Sequence, residues 1–148
     1  MGSSLLTRFD ERAGRTVLVF DGKIGHLNDQ EGGLMDARRN IDAWWPMVER
    51  EEIEAIVMTA SGCGVTVKEY GHILKDDPQY ATKAKCISSL TRDLSELLPA
   101  VLPELAAKLQ GRVNQPDTLY AYHPPCTLQH GQKLRGGVEV LDEALRTG

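Results

Sequence analysis

The hydrophobic positions fall into short apolar runs separated by stretches of helical spacing. Residues 16–20, TVLVF, are a β-branched apolar run bounded by AGR and DGK, and read as a short buried strand. From Asn28 the pattern changes. Asn28 is an N-cap candidate with Glu31 as its capping-box partner. Leu34, Ala37, Ile41, Trp44 and Trp45 then recur at roughly helical spacing. Gly32 and Gly33 weaken the first turns of this helix, and Pro46 is expected to kink or divide it.

Residues 55–60, AIVMTA, are the clearest strand in the chain. They feed a tight turn, SGCG, and then VTVKEYGHIL, which opens a helix. Strand, glycine turn and helix make the βα unit of a parallel α/β fold. Asp76-Asp77-Pro78 breaks the chain and caps the next helix. A long amphipathic stretch follows from Tyr80 to Leu109, with Ala84, Ile87, Leu90, Leu94, Leu97, Leu98, Val101, Leu105 and Leu109 as its apolar positions. Pro99 and Pro103 predict two or three segments rather than one rod. QGRVNQPD (110–117) has linker composition, TLYAYH (118–123) reads as the next strand, and GGVEVLDEALRTG (136–148) as a final amphipathic helix with Val138, Leu141 and Leu145 on one face.

The order βαβα, helical connection, βα predicts an α/β fold: a small parallel sheet with flanking helices, in which AIVMTA and TLYAYH run parallel. Three visible strands are few for a complete sheet. Cys63 and Cys126 each follow a strand at its carboxyl end, where open α/β sheets form their sites.

Composition narrows the class. A chain of 148 residues can bury one real core. Its net charge of -4 includes no block of like charge, so neither a nucleic-acid stripe nor a polybasic membrane patch is indicated. No apolar run approaches the length of a transmembrane segment, and MGSSLLTRFDERAGRT lacks a signal-peptide core. Three well-separated cysteines imply no disulfide framework, and an odd count fits a reducing compartment, hence a cytoplasmic expectation.

Taken together, ASGCG…KEYGHIL, SSLTRDLSELL and AYHPPCTLQHGQKLRG resemble the cysteine-rich CCG-domain family, which includes the iron-sulfur subunits of glycolate oxidase (glycolate dehydrogenase) and is shared with heterodisulfide reductase and lactate-utilisation subunits. NIDAWWP, TASGCG, DDPQYATKA and HPPCTLQH carry the resemblance from about His26 to Gly148. The family has two CCG modules after a ferredoxin-type domain. Each module supplies an early cysteine, a Cys-Cys-Gly and a late cysteine to hold a 4Fe-4S cluster. The resemblance puts Cys63 at the late position of the first module and Cys126 at the early position of the second. It implies an internal fragment straddling both: residues 1–25 a divergent N-terminal segment with one strand, 26–110 the C-terminal part of the first module, and 111–148 the N-terminal part of the second. The chain departs from the pattern where Val19-Phe20-Asp21 stands in place of a Cys-Cys-Gly, and no cysteine precedes Cys63. The implied function is an iron-sulfur electron-transfer subunit that relays electrons from a flavin-containing glycolate oxidase subunit, held peripherally at the inner membrane through the complex and not itself catalytic.

The candidate site residues are weighed against plainer roles. Cys63 and Cys126 are cluster-ligand candidates, because such clusters require thiolates; the plainer reading is a small residue in a tight turn. Four thiolates are the usual requirement and the chain has three cysteines, so an incomplete or absent cluster is expected. Cys86 falls on a helix and reads as a small apolar residue. His130 lies four residues after Cys126 and shares its face if a helix starts there, which makes Cys126 and His130 the best metal or thiolate-activating pair. His123 reads as a strand end; His26 and His72 read as surface or satisfied histidines. SGCG lacks the lysine-serine pair and the glycine spacing of nucleotide loops, and nothing supports a cysteine hydrolase. Trp44-Trp45 reads as one core residue and one partly buried residue. The competing functions are the electron-transfer subunit, a cluster-free scaffold or protein-interaction domain, and a thiol or zinc site on Cys126 and His130.

Overall fold

The structure, a computed structural model, describes residues 17–20, 30–109, 123 and 125–133. The chain forms two compact units, Met1–Asp93 and Leu94–Gly148.

The first unit holds three strands, β1 (Val17–Phe20), β2 (Ala55–Met58) and β3 (Thr91–Asp93), in the order β1-β2-β3, with both pairs parallel. This bears out the α/β class with a small parallel sheet and flanking helices. Parallel neighbours cannot be joined by a tight hairpin, so each connection is helical. Helix α1 (Gln30–Glu49) links β1 to β2; α2 (Ser61–Lys68), α3 (Tyr70–Ile73) and α4 (Ala81–Leu90) link β2 to β3. All four residues of β2 are buried, which is the pattern of a strand covered on both faces.

The helices dock through the periodicity that the sequence shows. On α1, Ala37, Ile41 and Trp44 lie four and three residues apart and are almost fully buried, while Trp45 is half-buried. They meet Ile53, Ile56, Met58, Val67, Tyr70, Leu74, Ala84 and Ile87 in one core. Burying each aliphatic side chain of this size stabilises by about 1.5–3 kcal/mol. The helix ends in a Schellman turn: the Glu52 N–H donates to the Met47 carbonyl (3.1 Å), and the Glu51 N–H to the Val48 carbonyl (3.0 Å). Glu51 takes the left-handed position at φ 54°, where glycine is the usual occupant.

Asp76-Asp77-Pro78 breaks the chain as expected, but it does not cap α4, whose N-cap is Tyr80; Asp77 closes the turn that leads into the helix. The Asp77 Oδ1 accepts from the backbone N–H groups of Gln79 (3.0 Å) and Tyr80 (3.1 Å), and Pro78 sits where no donor is needed. Arg38 on α1 grips the other oxygen through Nε (3.0 Å) and Nη2 (2.7 Å), which ties this turn to α1.

The expectations for the prolines are corrected. Pro46 does not divide α1. It removes only its own backbone donor, while the buried face at Ala37, Ile41 and Trp44 holds the rod in place. Pro99 and Pro103 likewise lie inside a single helix of the second unit, α5 (Leu94–Leu109). The stretch from Tyr80 to Leu109 does divide into two helical segments, as expected, but the break is β3 at Thr91–Asp93 rather than a proline. The open edge of β2 offers backbone groups that outweigh helix continuation, and Thr91 is drawn in to pair with Ile56. The linker (110–117), the strand TLYAYH apart from its last residue, the final helix (136–148), Asn28 and His26 lie outside the described residues, and so does the expected pairing of TLYAYH with AIVMTA.

Candidate functional site

Because all three strands are parallel, their carboxyl ends lie along one edge. The register aligns Phe20 with Met58 and Met58 with Asp93, so these three residues form a row across that edge. Met58 is 1% exposed and Asp93 4%. Immediately beyond β2 the chain bends through Thr59 and Ala60 and enters α2.

Cys63 is placed by that entry. The expected tight SGCG turn is instead the first turn of α2: Ala60 is its N-cap in an extended conformation, and the Gly64 N–H donates to the Ala60 carbonyl at 3.0 Å. Two small residues flank Cys63, which lets the helix start directly behind the strand. Cys63 is half-buried and packs against the core cluster. Tyr70 belongs to that cluster; burial pushes its hydroxyl up to about 12, opposed by the hydrogen bond it accepts from Asn40 Nδ2 at 3.0 Å.

Cys126 and His130 belong to the second unit, around a π turn at Thr127–Gly131 whose closing bond runs from the Gln132 N–H to the Thr127 carbonyl (2.8 Å). Leu128 and Gln132 are buried, whereas Cys126 and His130 are exposed. His123 is exposed, and so is His72 on α3. Cys86 lies half-buried on α4, in the small helical role expected for it. All three cysteines are free.

A cluster of four thiolates does not fit these residues. The whole chain has three cysteines, and one of them is the helical Cys86. Among the described residues no three His, Cys, Asp or Glu side chains gather as a metal site, and none of the helices is long and apolar enough to cross a membrane. Reading the sequence missed the row Phe20, Met58 and Asp93, since strand register is not written in any local pattern. It also missed a surface cluster in which Lys83 lies over the Trp45 ring (5.5 Å), Arg38 over Tyr80 (5.9 Å), and the Tyr80 hydroxyl donates to Asp42 (2.8 Å). Helical spacing could have placed Arg38, Asp42 and Trp45 on one side of α1, but not opposite Tyr80.

Fold and site thus define an α/β module that presents a cysteine just beyond the carboxyl edge of a parallel sheet. The chain is 55% identical over 116 residues to the glycolate oxidase iron-sulfur subunit of Escherichia coli, a match covering 78% of this chain and 27% of that protein. It is 34% identical over 74 residues to a probable glycolate oxidase iron-sulfur subunit of Bacillus subtilis, covering 50% of this chain and 16% of the relative. Lactate utilization protein A of Geobacillus thermodenitrificans is 36% identical over 87 residues, covering 57% and 32%. Over the matched region the chain is similar to glycolate oxidase iron-sulfur subunits, and the match spans about a quarter of the E. coli relative's length. No family model matches the chain, and no solved structure does.

Proposed function

We propose that this chain acts as part of the iron-sulfur electron-transfer subunit of a glycolate oxidase, which takes electrons from a flavin-containing subunit that oxidises glycolate. The observation that carries this reading is the 55% identity to the E. coli subunit across most of the chain. On this reading residues 26–110 are the later part of one CCG-like module and 111–148 the beginning of a second. Cys63, Cys126 and, as an auxiliary ligand, His130 are the residues this chain would offer to 4Fe-4S clusters; the remaining thiolates would come from outside these 148 residues. The complex would sit in the cytoplasm, peripheral to the inner membrane.

The test is retention of a flavoprotein. Tagged chain is co-expressed in E. coli with the glycolate-oxidising flavoprotein and purified. Flavin absorbance retained with the tag is the expected result; passage of the flavoprotein through the column overturns the reading. A second reading, a docking domain that has lost its cluster, is favoured by the count of three cysteines. Iron and sulfide in the retained complex separate the two.

A further inference from the structure

The cysteine count and the packing of the first unit conflict with a fold built around a cluster. We propose that this unit folds completely without iron, with the Cys63 thiol packed against its core until further ligands are supplied. The inference rests on the functional reading only for the identity of the metal group.

In metal-dependent small domains the ligands enclose the metal in place of an apolar core, and the apo chain is unfolded. Here the reverse arrangement is present. Ile41, Trp44, Ile56, Met58, Val67, Tyr70, Leu74 and Ile87 are all at most 2% exposed, and none needs a metal to be buried. At the carboxyl edge of the sheet the register aligns Phe20, Met58 and Asp93, and the last two are shielded from solvent. Cys63 lies half-buried against the same core, on a helical turn held by its own backbone bond from Gly64 to Ala60. Among the described residues no buried side-chain nitrogen or oxygen is left without a hydrogen-bond partner. Within the 148 residues three thiols are present, one fewer than the usual requirement.

The full chain is purified with an iron chelator and its thermal unfolding is followed by circular dichroism. Ferrous iron and sulfide are then added anaerobically and the measurement repeated, with bound iron and sulfide assayed. A cooperative transition in the apo chain, unmoved by iron and accompanied by substoichiometric iron, is expected. An apo chain without a transition, or a rise in Tm of more than ~10 °C with stoichiometric iron and sulfide, overturns the proposal. So does a cluster shared by two chains, seen as half-stoichiometric iron in a sedimenting dimer. Cys63→Ala in the iron-free chain is expected to lower Tm by ~2–5 °C through lost packing; an unchanged Tm would remove Cys63 from the core and overturn its assigned role. Failure of flavoprotein retention leaves this result standing, and iron-dependent folding leaves that retention standing, so the two readings fail separately.

Discussion

Asp77 concentrates three stabilising roles in one side chain. It closes the turn before α4, pairs with Arg38, and through that pair fixes the turn against α1. The Arg38 hydrogen bonds, joined by the Gln79 and Tyr80 backbone donors, hold its carboxyl below the ordinary range. A depressed carboxyl pKa contributes stability that is fully present above the unfolded value of about 3.9 and is lost as pH falls through the lower folded value. Asp77→Asn should therefore be less stable than the parent in urea at neutral pH, with the gap closing as pH falls below about 3.9; a gap independent of pH would show that the charge is immaterial. Glu51 offers the opposite case. Its left-handed φ of 54° carries a strain that glycine does not. Glu51→Gly is expected to stabilise the chain by about 0.5–1 kcal/mol, the relief of strain exceeding the added entropy of the unfolded state. The urea midpoint measures it. The exposed Arg50–Glu52 ion pair beside it, at 2.7 Å, lies in a setting where such pairs contribute little.

Between elements, the close approach of α3 to α4 depends on Gly71. A Cβ there would lie 3.1 Å from Lys85 Cα and 3.4 Å from Ser88 Oγ. The same approach lets Ser88 Oγ accept from the Gly71 N–H (2.9 Å) and donate to the Val67 carbonyl (3.0 Å), which closes the seam from α2 through α3 to α4. Gly71→Ala forces a backbone neighbour rather than a flexible side-chain tip to move, and is expected to destabilise by about 1–3 kcal/mol. The denaturation midpoint reads this directly. A stability equal to the parent's would mean that α3 and α4 separate at little cost. From the sequence, the glycine of KEYGHIL is only a weak point in a helix; its necessity comes from a helix seventeen residues away in the hydrogen bond it makes.

At the scale of the first unit, α1 is held by a three-residue stripe of Ala37, Ile41 and Trp44, and the sheet by β2 at its centre. Trp44→Ala should cost about 3–5 kcal/mol and Ile41→Ala about 2–5 kcal/mol. If the unit owes its fold to this core rather than to iron, those losses appear unchanged with chelator present, measured by urea unfolding with and without it. Losses that shrink on iron addition would show metal carrying part of the fold.

The sequence determined the α/β class, the strand at β2, the helical face of α1, the turn at Asp77 and the resemblance to iron-sulfur subunits, because each rests on local periodicity, on backbone chemistry within a few residues, or on motif identity. It also anticipated that one of Trp44 and Trp45 is core and the other partly buried; packing decided that Trp44 is the buried one. The tertiary structure alone decided that TRD is a strand: its polar residues have no strand signature, and Thr91 becomes one by pairing with Ile56 while its hydroxyl donates to the Ile87 carbonyl at 2.8 Å. It also decided that SGCG begins a helix rather than making a separate turn, and that Pro46, Pro99 and Pro103 are absorbed inside helices. Local propensity sets what each segment favours by itself. Register, close approach and burial against distant residues arise only when the whole chain is packed, and those placed Phe20, Met58 and Asp93 in one row beside the helix that carries Cys63.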